Sequence, residues 1–182
     1  MTRLYVFVLA LAVAACGSGK VTSPDDGPPD RLESALGYHI ERADYTGPIV
    51  QAHADLADRW WGELMRALQT AGFPADKADP TNIHGSVKIK LFEPRDSDHC
   101  FPVSGTMVCG AYWPYELLVP GTYAMQSMLG RRPAAQPLKH EMTHHWCIVV
   151  LGRNCVNGAE DQRDSHVWLT PNGQNIWDLQ WY

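Results

Sequence analysis

Apolar residues recur in steps of four at Leu56, Trp60, Leu64 and Leu68, with Trp61 and Met65 beside them. That period is one face of an α-helix, so the spacing predicts a helix over 51–71 that Gly72 and Pro74 stop. The aromatic residues of the stripe are read as core packing, and His53, near its start, as a surface residue. A different period governs 86–93 (SVKIKLFE), where Val87, Ile89 and Leu91 alternate with Lys88 and Lys90. Alternation of this kind predicts a strand with one buried and one wet face. A short strand is expected over 38–42, before the turn at Thr46-Gly47-Pro48. Residues 111–119 (AYWPYELLV) are aromatic and β-prone, but Pro114 restricts them to an edge or to two short pieces. A brief helix is expected over 122–129. A main helix over 137–151 is framed by Pro133 and Pro137, is apolar at Leu138, Met142, Trp146, Val149 and Val150, and ends at Gly152. Strands mixed with helices, without an internal repeat, indicate one α+β domain over 31–182.

The N-terminus follows neither period. Met1-Thr2-Arg3 precedes an unbroken apolar run over 4–15 and then Cys16-Gly17-Ser18-Gly19. One positive charge, a greasy core and small residues before a break predict a secretory signal over 1–15. A membrane span needs about 20 apolar residues, so the run is too short to serve as one. Val13-Ala14-Ala15-Cys16 resembles the lipobox of bacterial lipoproteins. The resemblance implies cleavage before Cys16 and a lipidated cysteine that tethers the exported protein to a membrane of the cell envelope, each buried methylene contributing about 0.8 kcal/mol. Residues 16–30 then form the lipidated Cys and a flexible linker rich in Gly, Ser, Pro and Asp.

Composition narrows the partners. Lys+Arg 15 against Asp+Glu 20 gives a formal charge of −5, which leaves no basic field to attract phosphate and excludes a general nucleic-acid binder. At 45% hydrophobic residues the chain is not of the disordered class. With Cys16 assigned to lipid, the five cysteines leave Cys100, Cys109, Cys147 and Cys155. An even remainder in an exported chain suggests disulfides. Spacing favours local pairs: Cys100 with Cys109 closes a loop rich in Pro and Gly, and Cys147 with Cys155 ties a helix end to the loop after it. Each closure is worth about 2 to 3 kcal/mol in the chain-entropy account.

The main helix contains His140-Glu141-Met142-Thr143-His144, an H-E-x-x-H pattern. Residues four apart share a helix face, so both imidazoles can point at one ion, while Glu141 lies about 100° round the axis and reaches its open side. A catalytic zinc site keeps one position for water, whose pKa the metal lowers to about 7. Glu141 is then placed as general base, taking the proton of that water as it attacks a carbonyl.

Through HEMTH at 140–144 the chain resembles the zincin metallopeptidases. The resemblance implies a zincin-like fold: a small mixed sheet, a backing helix at 51–71, and strands at 86–93 and 115–119, one of them an edge along which an extended peptide substrate would lie. The Gly and third His that continue the motif in metzincins are absent, so a third ligand must come from 157–168 (NGAEDQRDSHVW). His166 is preferred, because neutral imidazole binds zinc strongly and Asp164 nearby can orient a ring. Glu160 and Asp164 are the alternatives, and Asp161 is read as an exposed loop residue. His145 points about 100° from His144 and is assigned to packing or surface. An oxyanion donor is sought among Tyr112, Tyr115, Tyr123 and Tyr182, and nothing in the sequence selects one. The expectation is a membrane-tethered, zinc-dependent peptidase. The alternative is a catalytically inactive zincin-like lipoprotein that retains metal and acts in binding or envelope structure.

Overall fold

The computed structural model describes residues 29–94, 100–103, 106–124, 137–156 and 166–181. The signal segment, Cys16, the linker up to residue 28, positions 125–129 of the expected brief helix, Glu160, Asp161, Asp164 and Tyr182 lie outside the described residues.

Strands β1 (Arg31–Glu33) and β2 (His39–Arg42) form an antiparallel pair, and β2 is followed by α1 (Gln51–Thr70) and β3 (Lys88–Phe92). A small hairpin of β4 (Cys100–Val103) and β5 (Thr106–Cys109) leads into β6 (Ala111–Trp113), β7 (Glu116–Pro120), α2 (Pro137–Val150) and a 3-10 turn at Ile176–Trp181. The result is a mixed α+β fold with a five-stranded sheet in the order β1-β2-β3-β7-β6. The pairs β2–β3 and β3–β7 run parallel, whereas β6 runs antiparallel to β7. The outer side of β6 has no strand partner among the described residues.

The alternation in β3 sets the layers. Ile89 lies opposite Ile40 and Leu117, Leu91 lies opposite Val119, and all five are fully buried. The intervening positions carry the charged residues, Lys90 Nζ meeting Glu116 Oε1 at 2.8 Å and Lys88 approaching Glu41, while Phe92 and Leu118 on the same side are buried. On the buried face sits α1, whose stripe of Trp60, Trp61, Leu64, Met65 and Leu68 enters one core with Leu138, Met142 and Trp146 of α2. Truncating such a core leucine to alanine costs about 2–5 kcal/mol. Lys139 Nζ to Glu63 Oε2 at 2.6 Å, with Lys139 buried, ties the two helices together.

Pro114 divides 111–119 as its missing N–H requires, giving β6 and β7 on either side of a tight turn. Tyr115 completes that turn at φ 64°, a strained value for a residue with a side chain. Its ring lies over Gly85, where any Cβ would strike it, and edge-on to His145 at 5.7 Å.

One expectation changes. His53 is fully buried, not on the surface. Val50 N–H, the N-cap of α1, donates to His53 Nδ1 at 3.1 Å, and Nε2 donates to the Gly121 carbonyl at 2.9 Å. The imidazole thus satisfies an N–H left orphaned at the helix start and links it to the end of β7. The expected Cys100–Cys109 bridge closes the β4–β5 hairpin, with the two cysteines opposite one another across the strands.

Candidate metal centre

His140, Glu141 and His144 all lie on α2, with Glu141 and His144 buried. The third imidazole comes from a segment that the sequence connects to α2 only through 157–165. This segment is held in place independently of that connection. Asn172 Nδ2 donates to Thr70 O and Asn172 N–H to Ala71 O, capping the C-terminus of α1. Asn175 Oδ1 accepts from Trp168 N–H at 3.0 Å, and its Nδ2 donates to His166 O at 3.1 Å. The resulting turn brings His166 and Trp177 together over α2, with their rings 4.6 Å apart.

His140, His144 and His166 form a group whose ligand atoms all lie within 4.8 Å of one another. The Nε2 atoms of His140 and His144 are 3.2 Å apart. A tetrahedral ion with Zn–N bonds of about 2.0–2.1 Å needs ligand nitrogens about 3.3 Å apart, so this pair already has the required spacing. Imidazole, in the neutral form that binds metal, is also the right donor chemistry, and the residues present fit a metal ion.

Electrostatics agree with that protonation state. Burial, reinforced by His166 and opposed by the Asn154 hydrogen bond, pushes His144 down to about 4. Burial also lowers His166. Both are therefore held uncharged near neutral pH, the form that binds metal. His144 Nδ1–H donates to Asn154 Oδ1 at 3.3 Å, which leaves Nε2 as the ligand atom.

Glu141 packs against the backbone of Gly110, between β5 and β6. A Cβ there would overlap Glu141 Oε1 and stand 3.2 Å from its Cδ. The small residue lets the chain pass directly beside the carboxylate.

His145, next along the helix, turns away as its 100° offset requires. Its Nε2 donates to Ile83 O at 2.8 Å, and its Nδ1 faces the Tyr112 hydroxyl at 3.4 Å. Burial lowers its pKa, opposed by the Ile83 bond. Among the tyrosines, Tyr123 is committed elsewhere, donating to His53 O at 2.7 Å from a buried position. Tyr112, on β6, stacks nearly parallel to His144 at 6.2 Å and, among the described tyrosines, is the one whose ring borders the histidine group.

Three participants are absent from the sequence reading: Trp177, Asn154 and Gly110. Trp177 packs against His140, His144 and His166 at 4.9, 4.5 and 4.6 Å. Its position follows from a turn fixed by Asn175, for which periodicity carries no signal. Asn154 had a visible clue, since it immediately precedes Cys155 of a proposed bridge.

Both disulfides, Cys100–Cys109 and Cys147–Cys155, are formed. Such bridges belong to an oxidising, exported environment. Among the described residues, no helix is long and apolar enough to cross a membrane. Comparison of the chain with protein-family models, with curated proteins and with solved structures found no match.

Proposed function

We propose that the chain is a zincin-like, zinc-dependent peptidase, exported and tethered to a membrane by lipid on Cys16. The observation that carries this reading is the meeting of His140 and His144 of α2 with His166, on the helix that also carries the buried Glu141, with Tyr112 of the edge strand β6 beside His144. When bound, zinc supplies Lewis acidity that lowers the pKa of water and polarises a carbonyl. The imidazoles of His140, His144 and His166 are the ligands. Glu141 accepts a proton on its carboxylate and returns it to the leaving amine, a role suited to a carboxylate shielded from bulk water. The outer edge of β6, which has no strand partner among the described residues, is the place where an extended peptide would add as a further strand, the usual way a strand edge takes a partner. Tyr112, on that strand, lines the site with its ring beside His144, while its hydroxyl faces His145 Nδ1.

The test uses purified wild type and Glu141→Gln, with zinc content measured alongside hydrolysis of a peptide library. Zinc in both proteins, with cleavage in the wild type reduced at least 100-fold in the variant, is expected. Equal activity in both, or wild type without zinc, refutes the proposal. Zinc without cleavage by either protein supports the alternative, a metal-retaining lipoprotein with a binding or structural role.

A further inference from the structure

The turn after α2 touches the histidine group twice, by independent routes. Asn154 Oδ1 accepts from His144 Nδ1–H at 3.3 Å. One residue on, the Cys155 carbonyl accepts from Trp177 Nε1–H at 2.7 Å in a buried bond. The Trp177 ring in turn packs within 4.9 Å of all three imidazoles. The Cys147–Cys155 bridge closes this turn back onto α2, one helical turn beyond His144. The Cys147 carbonyl accepts from both Leu151 N–H and Arg153 N–H, which fixes the backbone between the two cysteines.

From this we infer that the disulfide-closed turn is a positioning element of the metal centre, with Asn154 holding the orientation and tautomer of His144 and Cys155 holding Trp177 against the three ligands. The inference rests on the metal-binding part of the proposed function, and not on peptidase activity. Groups bonded to the second nitrogen of a ligand histidine fix its ring and raise its basicity, and their loss typically lowers metal affinity about 10- to 100-fold. Asn154 is exposed, so this contribution is separable from folding. The bridge joins the same element to α2, so a chain lacking it holds its ligands less well even where the fold survives. Asn154 and Trp177 are positioning residues, acting on the metal through other groups.

Zinc dissociation constants, measured by competition with a chromophoric chelator, and melting temperatures of the zinc-free proteins decide the matter. Asn154→Ala is expected to weaken zinc binding about 10- to 100-fold while the zinc-free protein melts as wild type. Asn154→Asp, which keeps an acceptor for Nδ1–H, restores the affinity. Trp177→Phe, which keeps a ring but loses the bond to Cys155, weakens binding in the same direction. The double variant Cys147→Ala/Cys155→Ala weakens it at least as much as Asn154→Ala. Should that double variant fail to fold, the other three, which retain the bridge, give the answer. Wild-type affinity in Asn154→Ala, or no recovery in Asn154→Asp, overturns the inference while leaving the proposed function standing. Wild type that binds no zinc overturns both. Zinc bound as described but no peptide cleaved removes only the peptidase reading.

Discussion

Placing a methyl group at Gly110 tests whether the Glu141 carboxylate is held where the structure has it. An alanine Cβ there would overlap Glu141 Oε1 and come within 3.2 Å of Cδ and 3.4 Å of Cγ. Glu141 is 4% exposed, so its side chain cannot simply swing into solvent. Overpacking of this kind costs about 1–3 kcal/mol. Against it stands a gain of about 0.4–1 kcal/mol, because alanine restricts the unfolded chain more than glycine does. The backbone permits the change, since Gly110 is not among the glycines with positive φ. Gly110→Ala should therefore lower stability by about 1–2 kcal/mol, or roughly 2–8 °C in Tm for a domain of this size. In a Glu141→Ala background the obstacle is gone and the sign reverses: the same substitution should stabilise by about 0.4–1 kcal/mol. Urea melts of the four proteins give the coupling energy directly. An equal cost in both backgrounds refutes the placement of Glu141 against Gly110. If the peptidase reading holds, displacing the carboxylate by about 1 Å should also lower kcat/KM on the order of 100-fold.

His53→Phe keeps an aromatic ring of similar size but leaves Val50 N–H and Gly121 O without their buried partner; at about 1–3 kcal/mol for each group, a loss of about 2–5 kcal/mol is expected in denaturant melts, with zinc affinity unchanged. The zinc-free protein should lose stability in acid. Because burial holds His144 at about 4, below its ordinary value of 6.5, the unfolded chain takes up the proton first; its contribution is complete above about pH 6.5 and falls away toward about pH 4, by about 3 kcal/mol at most. Thermal melts across that range should show the loss in wild type and a shallower one in His144→Gln, and identical slopes would contradict the assigned protonation state.

What the sequence revealed follows the range of the physics involved. Periods of four and of two are local, and they located α1 to within one residue at its C-terminal end and β3 within its predicted bounds. Pro114 acts on its own backbone, so the division into β6 and β7 was also legible. The bridges were readable from spacing because short loops bring their ends together readily. The meeting of His166 with His140 and His144 was named from the need for a third ligand, but the agents that enforce it were hidden. Asn172 reaches back 102 residues to Thr70, and a contact of that range leaves no periodic trace. The sheet order was hidden for the same reason: β7 enters beside β3 only after the β4–β5 hairpin and β6 have been made.

The histidines show most clearly where local reasoning stops, because composition treats them alike and geometry separates them by what each ring nitrogen meets. His53 commits Nδ1 to Val50 N–H and Nε2 to Gly121 O. His145 commits Nε2 to Ile83 O and has Nδ1 facing the Tyr112 hydroxyl. Neither presents a lone pair to a cation, so both are structural despite lying in or near the right helices. His144 differs: Asn154 takes the Nδ1–H, and Nε2 is left 3.2 Å from Nε2 of His140. Neighbours in sequence, His144 and His145 are directed about 100° apart by the helix. One therefore meets the segment carrying His166 and Trp177, while the other meets the loop before β3 and Tyr115 of the β6–β7 turn. The helix angle was available from sequence, and it agrees with the placement of His145 apart from the three-histidine group. It carried no signal for His53, whose reading as a surface residue failed because the group that consumes its second nitrogen lies 68 residues away.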